Sequence, residues 1–183
     1  MPTPDPVLSS ALTQRAQGIR LLALDVDGVL TQGEILYTST GEELKAFNVK
    51  DGHGIALALH YGIQVALITG RKSPIISRRA QELGIRYVFE GIKQKTPVLQ
   101  ALVQTVQCSL QHVAYMGDDT PDMGPLQLVG LASCPADAIE PVQQLCHYVS
   151  SRPGGQGAVR QLIDIILNAQ GIQPGAIQTA GPC

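Results

Sequence analysis

The sequence predicts an α/β domain: a doubly wound, Rossmann-like parallel sheet with helices on both faces and a β-hairpin inserted after the first strand. Two patterns lead to this. Short, nearly continuous apolar runs recur along the chain, as strands do when both faces of a parallel sheet are covered. Longer segments between them carry apolar residues at three-and-four spacing, the signature of helices packed on such a sheet.

Residues 20–25 (RLLALD) read as the first strand, followed by strands at 63–69 (IQVALIT), 87–89, 112–116, 130–133 and a short last one at 147–149. Helices are predicted over 53–61, 74–83, 97–107 and 157–169. Ser73 before Pro74 supplies a cap and a pre-set first turn. Gly84 and Gly171 stand where helices should stop. Residues 33–49 (GEILYTSTGEELKAFNV) break the alternation. They read as a hairpin turning at Ser39-Thr40-Gly41. Residues 1–18 read as an N-terminal arm or helix, 19–170 as the α/β domain, and the Gly/Pro-rich stretch 171–183 as a flexible tail.

Composition narrows the function. The 183 residues are 44% hydrophobic and only 15% charged, enough apolar material for a core and too little charge for disorder. A formal net charge of -2 argues against a coat for nucleic acid or anionic lipid. Aromatic residues are 4% and Trp is absent, so base-stacking platforms are scarce. No apolar run approaches the roughly 20 residues of a membrane helix; residues 19–26 are interrupted by Asp25. Residues 1–10 hold three prolines and an Asp rather than a basic stretch followed by an apolar one, which predicts a cytoplasmic protein. The four cysteines (Cys108, Cys134, Cys146, Cys183) are spread out with no C-x-x-C, which reads as reduced thiols.

The polar residues fall where such a sheet binds ligands, outside the carboxyl ends of its strands. Asp25-Val26-Asp27-Gly28 follows the first strand and Thr69-Gly70-Arg71 the second. Lys93 and Lys95 follow the third. Gly117-Asp118-Asp119 follows the fourth, with Asp122 close behind. Asp25 and Asp118 are hard oxygen donors of the kind Mg²⁺ prefers. A hydroxyl, a lysine and a metal together can hold a transferring phosphoryl group. One carboxylate can act as nucleophile, and a second, two residues on, can protonate the leaving oxygen. Taken singly, each group has an ordinary structural use: a D-x-D as a solvated turn, Thr69 as a strand-end hydroxyl, Lys95 as a helix-start lysine, Asp118-Asp119 as a cap. Their order at four successive strand ends joins them into one site.

DVDGVLT (25–31), ITGR (68–71), Lys95 and GDDTPD (117–122) together resemble the haloacid dehalogenase superfamily of phosphatases. FNVKDGHGI (47–55), ITGRKS, GIKQK and GGQGAVR (154–160) resemble more closely its 3-deoxy-D-manno-octulosonate 8-phosphate (Kdo 8-phosphate) phosphatase family, over roughly residues 19–170. The resemblance implies a Mg²⁺-dependent phosphatase of lipopolysaccharide synthesis working through an aspartyl-phosphate. Asp25 would be the nucleophile and a metal ligand. Asp27 would be the general acid and base, its backbone carbonyl also on the metal, and Asp118 would complete the protein ligands. Thr69 and Lys95 would hold the phosphoryl oxygens, with Asp119 and Asp122 steadying the loop. Asn48, Val49, Lys50, Asp51 and Gly52 would form the sugar-phosphate loop, with Arg71 and Arg79 reaching the sugar acid or a neighbouring subunit.

Two positions depart from that pattern. Ala56 and Gln156 stand where the family often has arginine. The losses leave open a related substrate, a nonulosonate 9-phosphate of the KDN or sialic acid type. A non-catalytic oligomerising module is the reading from another class, against which the intact Asp25, Asp27, Thr69, Lys95 and Asp118 stand. The spans 27–69 and 70–95 leave no room for a cap domain. In the resembling family a homotetramer with packed hairpins covers the site instead, and Ile35, Leu36, Leu44 and Phe47 would supply an apolar hairpin face. The tail would enter a neighbour's site, as in relatives.

Overall fold

A computed structural model of the chain describes residues 9–173. The flexibility assigned to the tail falls, from residue 174 onward, outside the described residues, as does Cys183. Six parallel strands form the main sheet: β1 (Leu21–Leu24), β4 (Gln64–Ile68), β5 (Tyr87–Phe89), β6 (Val113–Met116), β7 (Leu131–Cys134) and β8 (Tyr148–Val149). Their order is β5-β4-β1-β6-β7-β8. A separate antiparallel pair, β2 (Leu36–Tyr37) and β3 (Glu43–Leu44), is the inserted hairpin.

Period-two alternation divides the strand side chains between two cores. Leu22, Leu24, Val65 and Leu67 pack on one face, against α1 (Ser10–Gln17), α2 (Val49–His60), α3 (Pro74–Glu82) and α7 (Ala158–Ala169). Leu21, Ala23, Ala66 and Ile68 pack on the other, against α4 (Lys95–Thr105), α5 (Met123–Leu128) and α6 (Glu140–Leu145). The chain runs from β1 outward through β4 to β5, then crosses back to β6 on the other flank of β1. The carboxyl ends of β1 and β6 therefore border the switch point, where open α/β sheets bind ligands.

Several boundaries differ from the sequence prediction, each for a local reason. Val49 belongs to α2 and not to the hairpin, because the Asn48 side chain caps that helix by accepting from the Lys50 N–H at 2.8 Å. Helix α4 starts at Lys95 and not Pro97; a proline in the first turn removes no helical hydrogen bond. The six-residue helices α5 and α6 were too short for their periodicity to register. Residues 10–17 of the N-terminal segment form α1, whose Leu12 and Ala16 are buried in the core with α7.

Phe47 is corrected too. It packs on the domain's own core, with the Arg79 guanidinium 5.8 Å from its ring centroid, whereas Ile35, Leu36 and Leu44 are about half exposed. No helix among the described residues is long and apolar enough to cross a membrane.

Candidate active site

Asp25 directly follows β1, and its backbone N–H extends the ladder to the Met116 carbonyl at 3.0 Å. Its carboxylate projects at the switch point, where Lys95 reaches it. The Lys95 ammonium, at the first position of α4, lies 2.9 Å from Asp25 Oδ1 and 2.8 Å from Asp122 Oδ1. The buried Tyr115 hydroxyl donates to the same Asp122 oxygen at 2.6 Å. Asp122 Oδ2 accepts from the backbone N–H groups of Asp118 (3.2 Å) and Asp119 (3.4 Å), which shapes the loop after β6. Asp119 caps the short turn that follows, accepting from the Thr120 N–H at 2.6 Å.

Carboxylate oxygens of Asp25, Asp118 and Asp122 all lie within 4.8 Å of one another. Burial, then repulsion from Asp122, outweighs Lys95 and raises the Asp25 carboxyl to about 6. Burial and the charges of Asp25 and Asp122 raise Asp118 to about 7. Burial opposes the charge on Lys95, but Asp25 and Asp122 hold its ammonium above the usual range. Lys95 offsets only part of the burial and repulsion that raise Asp25. Three clustered carboxyls with one ammonium are short of positive charge, and the donor set fits a divalent cation. Asp122 is committed to Lys95, Tyr115 and two backbone N–H groups. Asp25 and Asp118 are the two carboxylates of the three that could hold the metal.

Gly28 permits this closeness. A Cβ there would stand 2.1 Å from Asp118 Oδ2, and its φ of +90° is one side chains rarely adopt. Thr69 is buried at the end of β4, where its hydroxyl oxygen accepts from the Arg71 N–H at 3.3 Å.

The Asp27 carboxylate faces the hairpin. Its Oδ1 accepts from the Lys45 ammonium, and its Oδ2 lies 4.0 Å from Arg71 Nε. Arg71 also touches the Tyr37 hydroxyl (3.3 Å) and Glu43 Oε1 (3.5 Å), while Ser73 Oγ donates to Glu43 Oε2 at 2.6 Å. Sequence reasoning passed over Tyr37, Glu43, Lys45 and Ser73 in these roles. The polar-apolar-polar order Glu43-Leu44-Lys45 carried the signal, since alternate residues of a strand share a face.

The predicted sugar-phosphate loop is the first turn of α2, and the structure distributes its members. Asp51 is buried and caps α7, accepting from the N–H groups of Gly157 (3.1 Å) and Arg160 (2.8 Å). Burial raises its carboxyl and those backbone donors oppose the rise. Asn48 Nδ2 donates to the Gly155 carbonyl at 3.2 Å. Gly52 lets Arg79 lie against the helix, since a Cβ there would be 2.4 Å from its guanidinium. Arg79 pairs with Glu82 at 3.2 Å and lines a narrow cleft with Phe47, Asn48 and Gly52. Val49 points to solvent. Lys50 lines a second cleft with Arg152, Gln156 and Arg160. Ala56 and Gln156 are exposed.

Comparison with known proteins gives this geometry its family. No protein-family model matches the chain. The 3-deoxy-D-manno-octulosonate 8-phosphate phosphatase of Yersinia pestis is 45% identical over 163 residues, 89% of this chain and 87% of that protein. The chain belongs to the Kdo 8-phosphate phosphatase family. A crystal structure of the Yersinia pestis phosphatase superposes with a TM-score of 0.87 at 44% identity, covering 88% of each chain. The Kdo 8-phosphate phosphatase of Moraxella catarrhalis, solved with magnesium ion, phosphate ion and Kdo, superposes with a TM-score of 0.86 at 40% identity. That alignment covers 87% of this chain and 92% of the other. The uncapped α/β fold is thus the fold of the Kdo 8-phosphate phosphatases.

Proposed function

We propose that this chain is a Mg²⁺-dependent phosphatase that hydrolyses Kdo 8-phosphate to Kdo and inorganic phosphate, a cytoplasmic step of lipopolysaccharide synthesis. The observation that carries the reading is the buried Asp25–Lys95–Asp122 chain beside Asp118 at the switch point, in a chain 45% identical to a Kdo 8-phosphate phosphatase.

Asp25 attacks the phosphorus, and the bond from phosphorus to the sugar oxygen breaks. The Asp27 carboxyl gives its proton to the departing sugar oxygen. Water then attacks the aspartyl-phosphate, Asp27 takes the water's proton, and phosphate leaves with Asp25 restored. Lys95 and the Thr69 hydroxyl hold the phosphoryl oxygens. Mg²⁺, held by Asp25, Asp118 and the Asp27 carbonyl, supplies positive charge for those oxygens when bound. Arg71 and Arg79, with Lys50, Asn48, Val49 and Gly52 at the start of α2, meet the sugar acid. Asp51 serves them by tying α2 to α7.

A homotetramer accompanies this reading. The domain offers no cap, and the apolar residues Ile35, Leu36 and Leu44 lie exposed on the outer face of the hairpin, where a neighbour would cover them and narrow the site.

The test is phosphate release from Kdo 8-phosphate by the wild type and by Asp25→Asn, with melting temperatures to confirm folding. Mg²⁺-dependent release that falls at least about 10³-fold in the variant supports the reading. Release that survives the substitution removes Asp25 as nucleophile.

A further inference from the structure

Lys45 is a buried lysine that the reaction as described does not use. Its side chain is 2% exposed although it belongs to a small surface hairpin. A buried ammonium is costly unless paired. Lys45 is paired twice, with Asp27 Oδ1 and with Glu43 Oε1 at 3.5 Å. Glu43 is itself anchored by the Ser73 hydroxyl and by Arg71, so the lysine is braced from the hairpin side. The other Asp27 oxygen, Oδ2, is buried and makes no hydrogen bond.

We infer that Lys45 is a positioning residue for Asp27: it pins Oδ1 and, with Arg71 Nε 4.0 Å from Oδ2, fixes the plane in which the carboxylate is held. The inference rests on the acid–base role proposed for Asp27. The hairpin thereby becomes part of the chain's own active site. Its strand alternation turns Glu43 and Lys45 inward and leaves Leu44, opposite Leu36, on the outer face. A carboxylate tethered by one oxygen cannot rotate about its terminal bond to present either oxygen at random. That restriction matters, because proton transfer demands hydrogen-bond reach at the reacting atom.

A double-mutant cycle tests this: wild type, Lys45→Met, Asp27→Asn and the double variant, each with kcat and KM on Kdo 8-phosphate and on p-nitrophenyl phosphate, and each with a melting curve. Lys45→Met should lower kcat about tenfold with KM changed less than about threefold. In the Asp27→Asn background the same substitution should change kcat less than about twofold, because its target is gone. Lys45→Arg, which keeps the charge, should recover part of the loss. Independent, multiplying losses in the double variant overturn the inference, and so does a Lys45→Met enzyme with wild-type kcat. Full turnover by Asp27→Asn overturns instead the role of Asp27. If Lys45→Met melts out, Lys45→Gln takes its place in the cycle. The second substrate keeps the test valid if the sugar assignment fails.

Discussion

Asp51 Oδ2 accepts the backbone N–H of Gly157 at 3.1 Å, so a carboxylate in the first turn of α2 holds the cap residue of α7, 106 positions away. With the second bond, to the Arg160 N–H, it fastens the start of α2 to α7, against which α2 packs in the core. Removing it would leave two partly buried backbone donors without this acceptor. Asp51→Ala should therefore lower stability by about 2 kcal/mol, read as a shift of the urea midpoint. Loss of activity with an unchanged midpoint would instead mean direct contact between Asp51 and substrate.

Lys95 is the one ammonium joining Asp25 to Asp122. Lys95→Met keeps much of the side-chain length and removes the charge. It should cut kcat by about 10²-fold or more, since phosphoryl oxygens lose a preorganised partner. It should also destabilise the metal-free protein, because two buried carboxyls are left without their cation. Near-normal kcat in the variant would show that Lys95 is structural only.

Asp25 at about 6 and Asp118 at about 7 set a pH dependence, because the same groups sit at 3.8 ordinarily. Between those values the folded metal-free protein binds more protons than the unfolded chain. Their contribution to stability is complete below the ordinary value and is lost as pH rises through 6 to 7. In EDTA this contribution should make the protein melt higher near pH 5 than near pH 8. The stabilisation given by Mg²⁺ should grow over the same interval, since metal binding displaces those protons. Melting curves at both pH values, with EDTA and with Mg²⁺, check the sign.

The proposed homotetramer puts the outer face of the hairpin at the interface. Leu36 and Leu44 are 47% and 51% exposed and face each other across the antiparallel pair. Replacing both with Glu should reduce the assembled mass in sedimentation while costing the isolated fold less than about 1 kcal/mol. Unchanged mass would place the interface elsewhere.

Much of this was legible in the sequence. The five principal strands and the site groups at their ends could be read because a buried parallel strand is nearly pure apolar sequence, and polar residues mark where it stops. Asp25, Thr69 and Asp118 each follow such an end closely, and Lys95 opens the helix after β5. What escaped reading depends on long-range partners. Nothing local to Asp51 announces that it caps a helix beginning at residue 158. Nothing in the D-x-D shows that Asp27 turns to the hairpin and away from the carboxyl cluster. Lys45 looks like any hairpin lysine until the fold folds its ammonium inward. The helices α5 and α6 are two turns or less, below the length at which periodicity speaks. Phe47 looked like part of the hairpin's outer face because its burial comes from α3, which is distant in sequence.

The substrate is the central claim, and Ala56 and Gln156, which the resemblance marks as departures in charge, are exposed in the structure. The most direct measurement is phosphate release from Kdo 8-phosphate and from KDN 9-phosphate side by side, with Mg²⁺ and with EDTA. The account predicts a large preference for Kdo 8-phosphate that EDTA abolishes, the remaining cations Lys50, Arg71 and Arg79 sufficing for the sugar acid. Equal or reversed preference would contradict it, keeping the phosphatase chemistry but assigning the chain to another sugar acid.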